Sequence, residues 1–147
     1  MDTTDKNILN IMQEDARISN AELARRLGMA PSGILERVKK LESSGVIERY
    51  ETRVNHKMLG RSLTTFIQVD TDERLGDINV GLLLAKIPEV QEVYDVTGKH
   101  SYLVKARVKD SDAHSQLLKK MGELGVKTAR TTVVLSSIKE TLKIELE

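Results

Sequence analysis

Between Arg17 and Ile47 two short helical patterns meet at a turn too tight to let them part. Ser19-Asn20-Ala21-Glu22 has the S-x-x-E form of a capping box, in which a hydroxyl and a carboxylate satisfy the free amides of a starting helix. Leu23, Ala24 and Leu27 then make one apolar face, and Gly28 supplies the left-handed residue that stops it. Pro31 presets φ for the first turn of the next helix, which runs to about Ser43 before Gly45 closes it. A helix of about two turns is not stable alone. The pair must therefore pack on each other, which is the plan of a helix-turn-helix.

On a wheel of about 100° per residue the second helix sorts its residues cleanly. Ile34, Val38 and Leu41 face inward, whereas Ser32, Gly33, Glu36, Lys39 and Lys40 lie opposite, with Leu35 and Arg37 on the flanks. Any surface helix carries charge on its outer side, so a plain solvated face would look the same. Two features favour contact with DNA. The preceding helix is short, as in helix-turn-helix modules, and the small residues Ala30, Ser32 and Gly33 sit where a backbone would approach the duplex. On that reading Arg37, Lys39 and Lys40 reach phosphates or guanine edges. Ser32, Gly33 and Glu36 complete the face, and a glutamate can accept from cytosine N4.

A first helix is expected before this pair. Asp2, Thr3 and Thr4 offer capping oxygens, Asp5 suits the first turn, and Ile8, Ile11 and Met12 form a stripe ending near Asp15. After Gly45, residues 46–55 are rich in β-formers and read as a small wing or as a strand leading onward. Residues 55–61 have no period and read as linker.

Charge supports this division. The net charge is only +1, but Arg17 to Arg61 holds ten Lys/Arg against five Asp/Glu, which leaves an acid excess elsewhere. A basic module on a neutral-to-acidic body suits a polyanionic partner. The chain has no cysteine, which removes disulfides and thiolate chemistry. No apolar run reaches the roughly 18 residues needed to span a bilayer, and the acidic start MDTTDKNILN does not read as a signal peptide. The expectation is a cytoplasmic protein with no membrane partner.

The remaining hundred or so residues alternate strands and helices. Leu63–Thr71 reads as a strand, and Ile78, Leu82, Leu83 and Ile87 as a helix stopping before Pro88. Val90–Thr97 and Tyr102–Val108 read as strands on either side of a turn at Gly98. Asp110 or Ser111 caps a helix with Leu117, Leu118, Met121 and Leu124 inside and Gly125 at its end. Thr128–Ser137 is a fourth strand, and Leu142–Leu146 a short final one. The expected class is α+β, a helix-turn-helix followed by a ferredoxin-like βαββαβ sheet with helices on one face. The expected division is a DNA-binding domain at 1–48, a linker at 49–62 and a second domain at 63–147. The bare face of the sheet needs a cover, and a second subunit is the economical one, so a homodimer is expected.

These residues resemble the Lrp/AsnC family of prokaryotic regulators. The family's D-x-x-D-x-x-I-L opening matches Asp2, Asp5, Ile8 and Leu9. Its G/A-R-x-S-x-x-E-L-A matches Ala16, Arg17, Ser19, Glu22, Leu23 and Ala24, and its L-G-h-S-P-S/T matches Leu27-Gly28-Met29-Ala30-Pro31-Ser32 with one departure. Its R-V-x-x-L-E-x-x-G-V-I matches Arg37, Val38, Leu41, Glu42, Gly45, Val46 and Ile47. The departure is Ala30, where the family usually has a capping serine; Ser32 is the nearest hydroxyl to replace it.

The resemblance implies a transcriptional regulator whose second (RAM) domain dimerises, assembles further, typically as an octamer, and senses small molecules, commonly amino acids. It places the effector site at the family's G-x-x-D turn, here Gly98-Lys99-His100-Ser101, so that Gly98, His100, Ser101, Tyr102, Thr131 and Thr132 are the candidate effector residues. Backbone amides at such a glycine turn suit a carboxylate. Ser101 replaces the acidic residue that would pair with an amine. Gly98 read plainly is only a turn between strands.

No catalytic pattern competes strongly. His56, His100 and His114 lack metal-ligand spacing, and G-x-S-x-G, Walker and G-x-G-x-x-G motifs are missing. No enzyme activity, metal or cofactor is expected. Two rivals stay in view. One is an effector-independent architectural DNA-binding protein. The other is a tetrapyrrole decarboxylase of similar two-part architecture, for which only His100 and Arg107 are remotely placed.

Overall fold

The computed structural model describes residues 1–147. The chain forms two compact units, one of residues 1–53 with 139–147, the other of residues 54–138.

The first unit is built on α1 (Thr3–Glu14), α2 (Asn20–Leu27) and α3 (Pro31–Ser43). Asp2 and Asp5 cap α1 reciprocally: the Asp5 amide donates to Asp2 Oδ1 at 2.9 Å, and the Asp2 amide to Asp5 Oδ2 at 3.2 Å. Ser19 Oγ accepts the Glu22 amide at 3.1 Å. The expected return bond from Glu22 is not made, because its carboxylate is taken up by Arg25 and Arg26 at 2.7 to 2.9 Å. Gly28 ends α2 at φ 65°. Neither Ala30 nor Ser32 caps α3 through a side chain; the Gly33 and Ile34 amides turn back to the Ala30 carbonyl instead. Ile8, Leu23, Ala24, Ile34, Val38 and Leu41 form the core.

Two expected strands are not formed here. Residues 46–55 run without strand pairing, so the chain itself holds no wing hairpin. Leu142–Leu146 also makes no strand, and residues 139–147 belong to this unit rather than to the sheet. The cause is a competing set of partners on α1. Gln13 brackets the backbone of Ile144 with two bonds at 2.7 and 2.9 Å, Asn10 Nδ2 donates to the Leu146 carbonyl at 3.1 Å, and Lys143 pairs with Glu14 at 2.7 Å. Leu146 packs against the helical core.

The second unit contains β1 (Leu63–Thr71), α4 (Asn79–Leu84), β2 (Val90–Asp95), β3 (Tyr102–Val108), α5 (Ser111–Glu123) and β4 (Val126–Val133). The sheet order is β2-β3-β1-β4, antiparallel throughout. This is the ferredoxin-like arrangement. Ile67 and Val69 of β1 and Val104, Ala106 and Val108 of β3 meet Leu84, Ile87, Leu117 and Met121 in the core. Alternate residues, such as Phe66 beside Lys105 and Tyr94 beside Leu103, lie on the other face. β4 is shifted toward the N-terminus relative to Thr128–Ser137, since β1 offers no partner beyond Thr64, which accepts the Val134 amide at 3.0 Å.

Candidate nucleic-acid interface and effector cleft

The outer side of α3 is open. Ser32, Glu36, Lys39 and Lys40 are exposed and carry no ion pair, while Gly33 is half-buried. Each follows from the stripe of Ile34, Val38 and Leu41, which turns this side of the helix outward. Two ammonium groups in the C-terminal half of α3, held in no ion pair, can meet phosphates.

Arg37 does not join them. Its Nη1 donates to Asp2 Oδ2 and to Asp5 Oδ1, both at 2.7 Å, so this nitrogen of the guanidinium is turned to the start of α1 and not to the outer face. The amide of Asp5 and then Arg37 hold the Asp2 carboxyl below its ordinary value. The flanking position of Arg37 on the wheel was visible in sequence; the reach to α1 was not.

In the second unit a cleft of about 570 Å³ opens between residues 71–77 and 95–102. It brings together Gly98, His100, Ser101 and Tyr102 from the expected effector set. Gly98 sits at φ 110°, a conformation that favours glycine. The Ser101 hydroxyl accepts the Thr71 amide at 3.3 Å, and its own amide donates to the Val69 carbonyl at 2.9 Å, so Ser101 ties the turn to the end of β1. His100 Nδ1 lies 3.0 Å from Asp70 Oδ1, and Thr128 donates to the other oxygen of Asp70 at 2.6 Å. The Thr128 hydroxyl, then His100, hold Asp70 below the usual carboxylate range.

Thr131 and Thr132 are not brought into this cleft. Thr131 pairs with Ile67 on the helix side of the sheet, where its hydroxyl meets His114 Nε2 at 2.9 Å, and Thr132 pairs with Phe66 on the opposite face. Strand alternation sends the two neighbours to different surfaces.

Glu73 is the cleft residue that sequence reasoning missed. Its carboxylate accepts the Val80 amide at 2.9 Å, the Tyr102 hydroxyl at 2.7 Å and the Thr71 hydroxyl at 3.1 Å. Burial pushes its pKa up, and these donors outweigh burial and bring it below the ordinary 4.5. Burial, then Glu73, pushes the Tyr102 phenol up to about 12. Gly81 was missed as well. A Cβ there would lie 2.6 Å from Tyr102 Cε1. A glycine inside a helical pattern was the available signal of close approach.

Comparison with known proteins agrees with both halves. Residues 1–48 match the winged helix-turn-helix DNA-binding family, and residues 64–144 match the Lrp/AsnC ligand binding domain. The chain is 36% identical to the leucine-responsive regulatory proteins of Escherichia coli K12 and Salmonella typhimurium, covering all of this chain and 92% of each relative. Its structure is similar to that of a Neisseria meningitidis transcriptional regulator solved as an L-Met complex, with 31% identity, a TM-score of 0.91 and coverage of 98% and 96% of the two chains. E. coli AsnC is similar at 27% identity and a TM-score of 0.90, with 99% of both chains covered. Motifs, topology and relatives agree across the full length, and the chain belongs to the Lrp/AsnC family of transcriptional regulators.

Proposed function

We propose that this chain binds operator DNA through the outer face of α3 and that its affinity for DNA is set by an amino-acid effector in the cleft beside Gly98. The observation that carries the DNA reading is the unpaired, exposed couple Lys39 and Lys40 on a helix whose inner stripe turns them outward. Ser32, Gly33 and Glu36 are the further residues of the reading face. For the effector, the supports are the left-handed Gly98 turn over an open cleft and the similar Neisseria regulator with its bound L-Met.

A second copy of the chain covers the sheet face that bears Phe66 and Leu103, giving a homodimer, with assembly toward an octamer as the further step. Two reading helices then face DNA with two-fold symmetry, and half-sites lie about 10–10.5 base pairs apart or at a multiple of that spacing. The test is selection from a random duplex pool by the purified chain, followed by a thermal-shift series with the amino acids. The reading expects a two-fold motif and at least one stabilising amino acid, since a binder raises stability by mass action.

One observation favours a second reading. Ser101 is used to hold the turn, and no carboxylate stands at that position for an ammonium group. An architectural protein with no effector would select no motif and give a flat thermal-shift series.

A further inference from the structure

An apolar stripe decides which side of a helix faces inward, but its contacts are non-directional, and the finer setting of the rotation falls to directional bonds. α3 buries Ile34, Val38 and Leu41 against the rest of its unit, and near its C-terminus Glu42 accepts the Tyr50 hydroxyl at 2.7 Å. Arg37 lies at the edge of that stripe, about 40° past Leu41 on the helical wheel. There it makes two directional contacts at 2.7 Å from a single nitrogen, Nη1, to Asp2 and Asp5. The same two carboxylates form the reciprocal cap of α1. Their positions are therefore set by the backbone of the first turn, and not only by side-chain rotamers. Arg37 is 32% exposed, Asp5 17% and Asp2 55%, so the contact to Asp5 is the partly desolvated one of two charge-assisted bonds.

From this geometry we infer that Arg37 is a positioning residue for DNA reading: held by the Asp2–Asp5 cap of α1, it sets the rotation of α3 and hence where Ser32, Glu36 and Lys39 point. Side-chain tips lie about 5–6 Å from a helix axis, so a rotation of about 20° moves them by about 2 Å. That is enough to misplace a hydrogen bond to a base edge, whose distance tolerance is a few tenths of an ångström. Phosphate contacts from flexible lysines tolerate such a shift far better. Removing the Arg37 bridge should then reduce discrimination between sequences and spare non-specific binding.

The inference rests on α3 being the reading helix, and one assay separates the two claims. Fluorescence anisotropy is measured on a duplex selected by the unmodified chain and on a scrambled duplex, over a range of salt. The variants are Arg37→Met, Asp2→Asn with Asp5→Asn, all three changes together, and Lys39→Ala with Lys40→Ala. Asparagine keeps capping capacity, so the carboxylate variant carries the test if Arg37→Met fails to fold. The expected result is about a tenfold fall in the selected-to-scrambled ratio for Arg37→Met, as for one misplaced base contact. The carboxylate variant should fall similarly, the triple variant no further, and the salt slope should stay unchanged. Two results overturn the inference. One is a ratio unchanged in both single-side variants, which makes the bridge structural only. The other is a salt slope lowered by about 0.9 in Arg37→Met with binding kept or strengthened in the carboxylate variant, which makes Arg37 a phosphate ligand. If Lys39→Ala with Lys40→Ala leaves both duplexes bound as before, the reading-helix assignment fails, and the inference fails with it.

Discussion

Tyr102 donates its hydroxyl to Glu73 at 2.7 Å, joining the first residue of β3 to the loop that leads into α4. The ring is 2% exposed, and the carboxylate also accepts the Val80 amide, so one pair of cleft-lining side chains ties β3 to the start of α4. Tyr102→Phe keeps the ring and removes the donor. It should destabilise the fold by about 1.5 kcal/mol, as expected for removing a bond to a charged group, measured by urea unfolding at pH 7. An unchanged midpoint would remove Glu73 from the account of the cleft.

The same pair gives a pH dependence. The Glu73 carboxyl titrates below its ordinary 4.5 in the folded chain. The unfolded state therefore binds the proton first, and the stabilisation is complete above about pH 4.5 and lost as pH falls through the folded value. Stability of the Glu73→Gln variant should fall less steeply than that of the unmodified chain over this acid range. Parallel curves for the two would contradict the assignment.

Gly81→Ala should be destabilising even though alanine is the better helix former by about 1 kcal/mol. The new Cβ would stand 2.6 Å from a ring carbon of buried Tyr102, and neither the ring nor α4 can yield cheaply. A net loss of about 1–2 kcal/mol in urea unfolding is expected from overpacking. A gain in stability would mean that α4 moves freely away from the sheet.

His114 titrates in the opposite sense to a paired histidine. Burial lowers its pKa below 6.5, and its Nδ1 has no partner while Nε2 meets Thr131. The unfolded chain then binds the proton more readily, so stability is full above about pH 6.5 and declines as pH falls through the folded value. Chemical unfolding between pH 5 and pH 8 should show this decline in the unmodified chain and not in His114→Gln. An equal decline in both would assign it to another group.

Much of this was legible because local chemistry and periodicity pointed the same way. Ser19, Gly28, Pro31 and Gly45 bracket α2 and α3 where the structure has them, and the inward stripe of Ile34, Val38 and Leu41 is the observed core. What was not legible depended on residues far apart in the chain. Asp2 and Asp5 read as capping residues, and nothing in their spacing announced a third partner at Arg37. Leu142–Leu146 has the composition of a strand, yet Asn10 and Gln13 compete for its backbone. Thr131 and Thr132 came in by resemblance, and strand alternation separates them.

The tail supplies its own test. Leu146 packs on the helical core, although the residue comes 132 positions after Glu14 at the end of α1. Leu146→Ala should cost about 1–2 kcal/mol, less than a fully buried leucine, read as helical circular dichroism during thermal unfolding. No change would show that the tail does not contribute to the stability of the helical unit.

The central claim, that α3 meets DNA with its outer face, is tested most directly by the salt dependence of binding. Lys39→Ala with Lys40→Ala should weaken affinity for a selected duplex and make the slope of log K against log salt shallower by about 0.9 for each phosphate no longer neutralised. The account predicts a shallower slope with the fold intact. Equal affinity and equal slope in the unmodified and doubly substituted chains would contradict it.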